Sequence, residues 1–222
     1  MQTRLHLLLA ALALAFGPAA MAQKAGSFTA SIGFTTLSPV VSSGNLTAPS
    51  LPGTQVGIDS NTQLTGGLTY MLSDAIALHV PLGLPFKHNV NGAGAIASAG
   101  KLADTKALPV TLLVQYRFMD PRAAWRPYVG AGVTYAKFYD TQGTATLTAL
   151  TNPGGPATTM SFDSKTVPTV QLGAVVNLND KWFVDLGYTK TFLSTRGTLS
   201  TGQTLDAKLD PNSFTVNVGY KF

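Results

Sequence analysis

The last thirteen residues, DPNSFTVNVGYKF (210–222), decide the fold. From Phe214 onward every second residue is apolar or aromatic: Phe214, Val216, Val218, Tyr220 and Phe222. Thr215, Asn217, Gly219 and Lys221 stand between them. A period of two puts the two sets on opposite faces of one strand. In a soluble sheet such an apolar face is covered by a further layer. A strand ending on an aromatic residue with no cover is instead how a transmembrane barrel closes. Its last strand pairs with its first and leaves no edge.

Seven earlier stretches carry the same alternation: residues 27–38, 61–72, 76–87, 108–119, 125–138, 168–179 and 182–192. In 108–119, for example, Leu108, Val110, Leu112, Val114, Tyr116 and Phe118 oppose Thr111, Gln115 and Arg117. In 76–87 the apolar set runs from Ile76 through Leu84 to Phe86. The connections alternate long and short. Residues 39–60, 89–106, 139–165 and 195–210 are long; Ser73-Asp74, 120–124 and 179–181 are tight and rich in turn formers. Long loops at one end and tight turns at the other predict an all-β, eight-stranded antiparallel transmembrane β-barrel with extracellular loops and periplasmic turns. A sandwich has no reason to sort its loops by end, and a soluble lipocalin-type barrel would hold the apolar set inside. Phe28, Tyr70, Phe118, Trp125, Trp182 and Phe222 are expected in a girdle on the turn side. Phe34, Phe86, Tyr135, Phe192 and Phe214 are expected on the loop side.

The N-terminus supplies an address. Arg4 and His6 precede an unbroken apolar run at 7–16, and Ala20-Met21-Ala22 presents small residues where a signal peptidase reads. Gly17 and Pro18 end the run well short of the roughly 20 residues of a spanning helix. Residues 1–22 are expected to be a cleaved signal peptide, and 23–222 the barrel. The chain has no cysteine, hence neither disulfides nor thiolate metal sites. Fifteen Lys and Arg face ten Asp and Glu, and one of the fifteen (Arg4) lies in the leader. Without a basic stripe this excess points to anionic lipid head groups and lipopolysaccharide, not nucleic acid. Lys190 shares parity with the lipid face, where it either reaches a lipopolysaccharide phosphate or is turned away at the loop onset.

An eight-stranded barrel is just wide enough for side chains to fill it. By parity its periplasmic end holds Gln115, Arg117, Asp185 and Lys221, whose opposite charges are expected to pair and plug the exit. The wall is the other way out. Pro81 and Pro85 lie in the third strand and Pro109 in the fourth, and proline gives a ladder no donor. Pro85 and Pro109 are therefore candidates for a lateral opening; the plainer reading is a strand-end kink that only shapes the loop. His79 and His88 lack convergent partners for a metal, and no Ser, His and Asp set is spaced for catalysis. No metal, cofactor or enzyme activity is assigned.

Short runs along most of the mature chain carry a resemblance: NTQL (61–64), TYM (69–71), PFKH (85–88), RPYVGAG (126–132), LDP (209–211) and Gly219-Tyr220 with Phe222. In this order they resemble the OmpW family of small outer-membrane proteins, which includes alkane-uptake proteins of the AlkL type. The resemblance implies a narrow, largely apolar passage for small hydrophobic molecules; family members also serve as receptors for protein toxins. A bulky Leu and Trp constriction in the family falls here on Pro81 and Thr189. This departure from the family's bulky pair implies a passage that is wider or gated by other groups, and the lumen or constriction candidates are Pro81, Leu113 and Thr189. The expected function is an outer-membrane channel for passive uptake of small hydrophobic solutes, with lateral release into the outer leaflet. A structural or receptor barrel with a filled interior is the alternative. Expected partners are outer-membrane lipid and lipopolysaccharide, hydrophobic solutes, and the barrel-assembly machinery engaging the last strand through Phe214, Tyr220 and Phe222. The barrel is expected to be a monomer in the Gram-negative outer membrane.

Overall fold

A computed structural model describes residues 23–222; the expected signal peptide, residues 1–22, lies outside the described residues. The strands in chain order begin with β1 (Phe28–Ser38), β2 (Ser42–Ser43), β3 (Thr54–Ile58), β4 (Asn61–Met71) and β5 (Ile76–Gly83). Then come β6 (Phe86–Gly94), β7 (Lys101–Arg117), β8 (Trp125–Gly143), β9 (Met160–Phe162) and β10 (Lys165–Asn177). The last are β11 (Trp182–Thr191), β12 (Ser194–Leu199), β13 (Thr204–Lys208) and β14 (Asn212–Lys221). Among the described residues a single 3-10 turn (Ala97–Ala99) precedes β7 and a short α-helix, α1 (Ala145–Thr151), follows β8.

Eight staves make the barrel: β1, β4, β5 continued by β6, β7, β8, β10, β11 and β14. All neighbours run antiparallel. The closure is made by β14 against β1, in register from Thr29 opposite Lys221 to Ser38 opposite Asn212. The lipid-facing set is the one the alternation names. Ile32, Phe34, Val110, Val114, Leu172, Phe214 and Val218 are all exposed on the outer wall. On the turn side the rings touch one another, with centroids 5.1 Å apart for Trp182 and Tyr220 and 5.2 Å for Tyr220 and Phe222. Phe28 lies 5.9 Å from Phe222 across the closing seam.

The loop-side girdle loses one expected member. Phe86 is 4% exposed, not lipid-facing. The third stave breaks at Leu84 and Pro85, and the alternation restarts out of phase in β6. Phe86 therefore turns inward and lies alongside the His88 ring. Lys190 is also turned from the lipid: its Nζ donates to the Asp210 carbonyl at 2.5 Å.

The long connections are not open loops. β6, β7 and β8 run on past the barrel rim, β3 pairs with β6, and β2, β13, β12 and β9 form a second sheet. Beneath that sheet Leu46, Val90, Leu102, Leu147, Leu199 and Leu205 share one buried cluster. Sequence alternation does not reveal this cap, because its strands are short and each contributes only one or two apolar residues. Their common core forms only once the staves hold the loop ends together.

Neighbouring backbones approach closely where glycine faces inward. A Cβ at Gly132 would lie 1.9 Å from the Leu112 carbonyl oxygen, an approach only a residue without Cβ permits. Gly132→Ala should therefore lower stability by more than about 2 kcal/mol, through displacement of the β7–β8 backbone. Urea unfolding in detergent, followed by tryptophan fluorescence, measures this; an unchanged midpoint would show that the two strands can separate without cost.

Candidate functional site

The barrel encloses a cavity of about 130 Å³ in its loop-side half. Its wall is built from inward residues of every stave. Thr111, Thr134, Thr169 and Thr191 on β7, β8, β10 and β11 form a chain of hydroxyl contacts at 2.8, 2.6 and 3.2 Å. On β4, β1 and β14, Thr65, Thr35 and Thr215 form a second chain, with Thr35 Oγ1 at 2.8 Å from each of the others. The two belts thus draw on seven of the eight staves. Their hydroxyls pair with one another along the wall and demand nothing from a solute. The lining is accordingly mostly apolar. Two lining atoms, His88 Nε2 and Asn217 Oδ1, are buried without a partner. Inward parity carried the threonines in plain sight; only the register shows that they touch.

Below the cavity lies a polar floor. Arg117 donates from Nε and Nη2 to Gln115 Oε1 at 3.3 and 2.9 Å, and from Nη1 to Gln23 Oε1 at 2.5 Å. Gln115 Nε2 donates to Gln171 Oε1 at 2.7 Å. Arg126, fully buried, donates to the carbonyls of Gln23 at 2.9 Å and Asp74 at 2.5 Å. Tyr128 donates to Asp185 Oδ1 at 3.0 Å, and the Arg117 guanidinium lies 5.7 Å from the Tyr128 ring centre.

All four expected plug residues, Gln115, Arg117, Asp185 and Lys221, are buried here, but their pairing differs from expectation. Among the described residues Arg117 and Asp185 form no ion pair, because Tyr128 takes the carboxylate. Lys221 stands apart and reaches only the Asn179 carbonyl, at 3.4 Å. Sequence reading missed Gln23, Arg126, Tyr128 and Gln171 as parts of the floor. The last three sit at inward parity and could have been found; Gln23 precedes the first strand and carried no signal.

The eighth stave has no threonine in the belts, and there the wall itself changes. β5 pairs with β7 only from Ile76 opposite Tyr116 to His79 opposite Leu113. Pairing resumes in β6, at Phe86 opposite Ala107. Residues 80–85 and 108–112 make no ladder with each other across this seam.

The direction of each N–H follows from its neighbours. Arg117 N donates to the Ala75 carbonyl, whereas Leu84 N donates to Leu64 on the other side. In an antiparallel ladder the backbone polar groups of successive residues point alternately left and right. Odd-numbered residues of β5 and β7 therefore address the seam. Pro81 and Pro109 are among them, and neither has an N–H to offer. Pro85 falls at the break between β5 and β6. Only Gly83 and Thr111 are left with donors aimed at the gap.

The cavity reaches this gap through Pro81, Leu82, Gly83, Leu108 and Pro109. Thr189 lines the opposite wall, whereas Leu113 is fully buried below the cavity and does not line it. His79 is buried, with Nδ1 2.8 Å from Thr69 Oγ1. His88 sits near the rim and donates from Nδ1 to the Asp59 carbonyl at 2.7 Å.

The sequence profile of the OmpW family matches residues 24–222. Outer membrane protein W of Vibrio cholerae is 33% identical over 174 residues, covering 76% of this chain and 77% of that protein. Outer membrane protein AlkL of Ectopseudomonas oleovorans is 26% identical over 180 residues, covering 80% and 73% respectively. The crystal structure of OprG from Pseudomonas aeruginosa superposes with a TM-score of 0.82 at 30% identity, covering 92% of this chain and 99% of that one.

Removing the guanidinium at the floor should unseal the barrel base. Arg117→Ala is expected to raise single-channel conductance in planar bilayers several-fold, since water and ions can then pass Gln115. Unchanged conductance would show that the closure lies elsewhere.

Proposed function

This chain belongs to the OmpW family of outer-membrane barrels, and from that premise we propose that it is a passive channel for small hydrophobic molecules. The single observation that carries this reading is the seam beside the cavity, bordered by Pro81, Pro85 and Pro109 above a hydrogen-bonded floor. A solute entering from the cap side meets apolar walls, cannot follow the axis past Arg117 and Gln115, and leaves sideways into the outer leaflet. Pro81 and Thr189 set the width of the passage, and Leu113 backs it from below. A filled structural barrel has no use for a cavity that borders a stretch of wall without a ladder.

In this reading outer-leaflet lipid and lipopolysaccharide surround the barrel, the solute is apolar, and no catalysis takes place. The strand ending in Phe214, Tyr220 and Phe222 engages the assembly machinery after a signal peptide has been removed behind Ala22.

Deletion of the gene should lower uptake of an apolar solute several-fold and leave that of a polar solute of equal size unchanged. Uptake of both at the original rate would contradict the channel. The seam has its own test. Pro81→Ala together with Pro109→Ala restores two donors that face the gap. The double variant should raise the thermal unfolding midpoint and cut apolar uptake several-fold. Undiminished uptake through a stabilised barrel would rule out lateral exit there.

A further inference from the structure

Gln23 is held in an unusual way for a residue outside any strand. It is fully buried in the barrel base. Its Oε1 accepts from Arg117 Nη1 at 2.5 Å and its backbone carbonyl from Arg126 Nη1 at 2.9 Å. Its Nε2, by contrast, is buried without a partner. Two guanidinium groups thus converge on this one residue, and among the described residues neither forms an ion pair; the ion pairs described are Lys101–Asp104, Lys106–Asp140, Lys165–Asp163, Arg196–Asp206 and Lys208–Asp210.

The expected cleavage behind Ala22 makes Gln23 the first residue of the mature chain. Its α-amine would then be an ammonium on a residue already touching Arg117 and Arg126. A third positive charge beside two guanidinium groups is disfavoured, although one carboxylate, Asp74, stands nearby with its Oδ1 accepting from Ala25 N at 2.8 Å. N-terminal glutamine has a chemical way out. The α-amine, as free base, attacks the side-chain carbonyl carbon Cδ. The N–Cδ bond forms, the Cδ–Nε2 bond breaks, and Nε2 leaves as ammonia with a proton from the amine. No oxidant or other reactant is consumed.

Two features of the Gln23 side chain fit this reaction. Arg117 polarises the carbonyl under attack, in the manner of an oxyanion donor. The unpartnered Nε2 is the leaving group. The product keeps Oε1 as a lactam carbonyl able to accept from Arg117, and it carries no charge. We propose that Gln23 is a modification site: the mature barrel begins with pyroglutamate, formed under Arg117 and seated as a neutral stopper in the periplasmic end. This inference rests on the cleavage position and not on solute transport.

The experiment expresses the full chain in a Gram-negative host and extracts the mature protein from outer membranes in detergent. Intact mass should equal that of residues 23–222 less one ammonia. Edman degradation should be blocked, and pyroglutamyl aminopeptidase acting on the unfolded chain should release the block. An open Gln23, or a chain beginning elsewhere, would overturn the proposal.

Exposed N-terminal glutamine also closes slowly unaided, so the Arg117 contribution needs its own comparison. Arg117→Met, sampled at equal times after induction, should show several-fold more open Gln23; equal closure would overturn the role of the guanidinium. Pulse–chase of the wild-type chain decides the point even if that variant does not fold. Closure should follow acquisition of the heat-modifiable, folded form, and closure equally fast in chain held in urea would contradict it.

Discussion

Hydrocarbon offers no hydrogen bonds, so a chain crossing it must pair each backbone N–H and C=O with another part of itself, at a penalty of several kcal/mol for each failure. Most of this architecture follows from that requirement. Strands meet it only by closing, and β14 closes on β1 along ten consecutive residue pairs. Closure in turn fixes which face of each strand meets lipid. The outward set is apolar from Ile32 and Phe34 on β1 to Phe214 and Val218 on β14, while the inward set can afford Thr, Gln, Arg and Asp.

The same requirement bears on the stretch between β5 and β7 where, among the described residues, the ladder stops. Between His79–Leu113 and Phe86–Ala107 the ladder is interrupted, and there Pro81 and Pro109 have no donor to give it. Threonine belts satisfy their own hydroxyls around the cavity, and beneath it Arg117 and Arg126 gather Gln23, Gln115 and backbone carbonyls into a floor. In the proposed reading a hydrophobic molecule enters an apolar vestibule, finds no path down the axis and leaves through the side wall beside it.

Much of this was legible in the residues. Period-two alternation located all eight staves because each must present a greasy face to lipid, and loop lengths gave the orientation. The inward placement of Gln115, Arg117 and Asp185 followed from parity alone. What parity cannot supply is phase across an interruption: Phe86 shares the lipid-facing parity only if the alternation runs unbroken through Pro85, and the strand breaks there. Nor could it supply partners. Arg117 and Asp185 have opposite charges at the same end of the barrel, yet Tyr128 stands between them. The cap was opaque for a different reason, since Leu46, Leu147 and Leu205 join one core only after distant loops have been brought together. Gln23 lies outside every periodic segment, and its place in the floor depends on two arginines about a hundred residues away in sequence.

Amide hydrogen exchange of the barrel in lipid nanodiscs, resolved residue by residue, addresses the open seam most directly. Gly83 and Thr111 hold the donors that face the gap, while Leu82 and Leu112, one residue away, face the intact ladders with β4 and β8. Fast exchange at Gly83 and Thr111 beside strong protection at Leu82 and Leu112 is the predicted pattern. Equal protection at all four amides would mean that the wall is continuous, and that nothing leaves the barrel through its side.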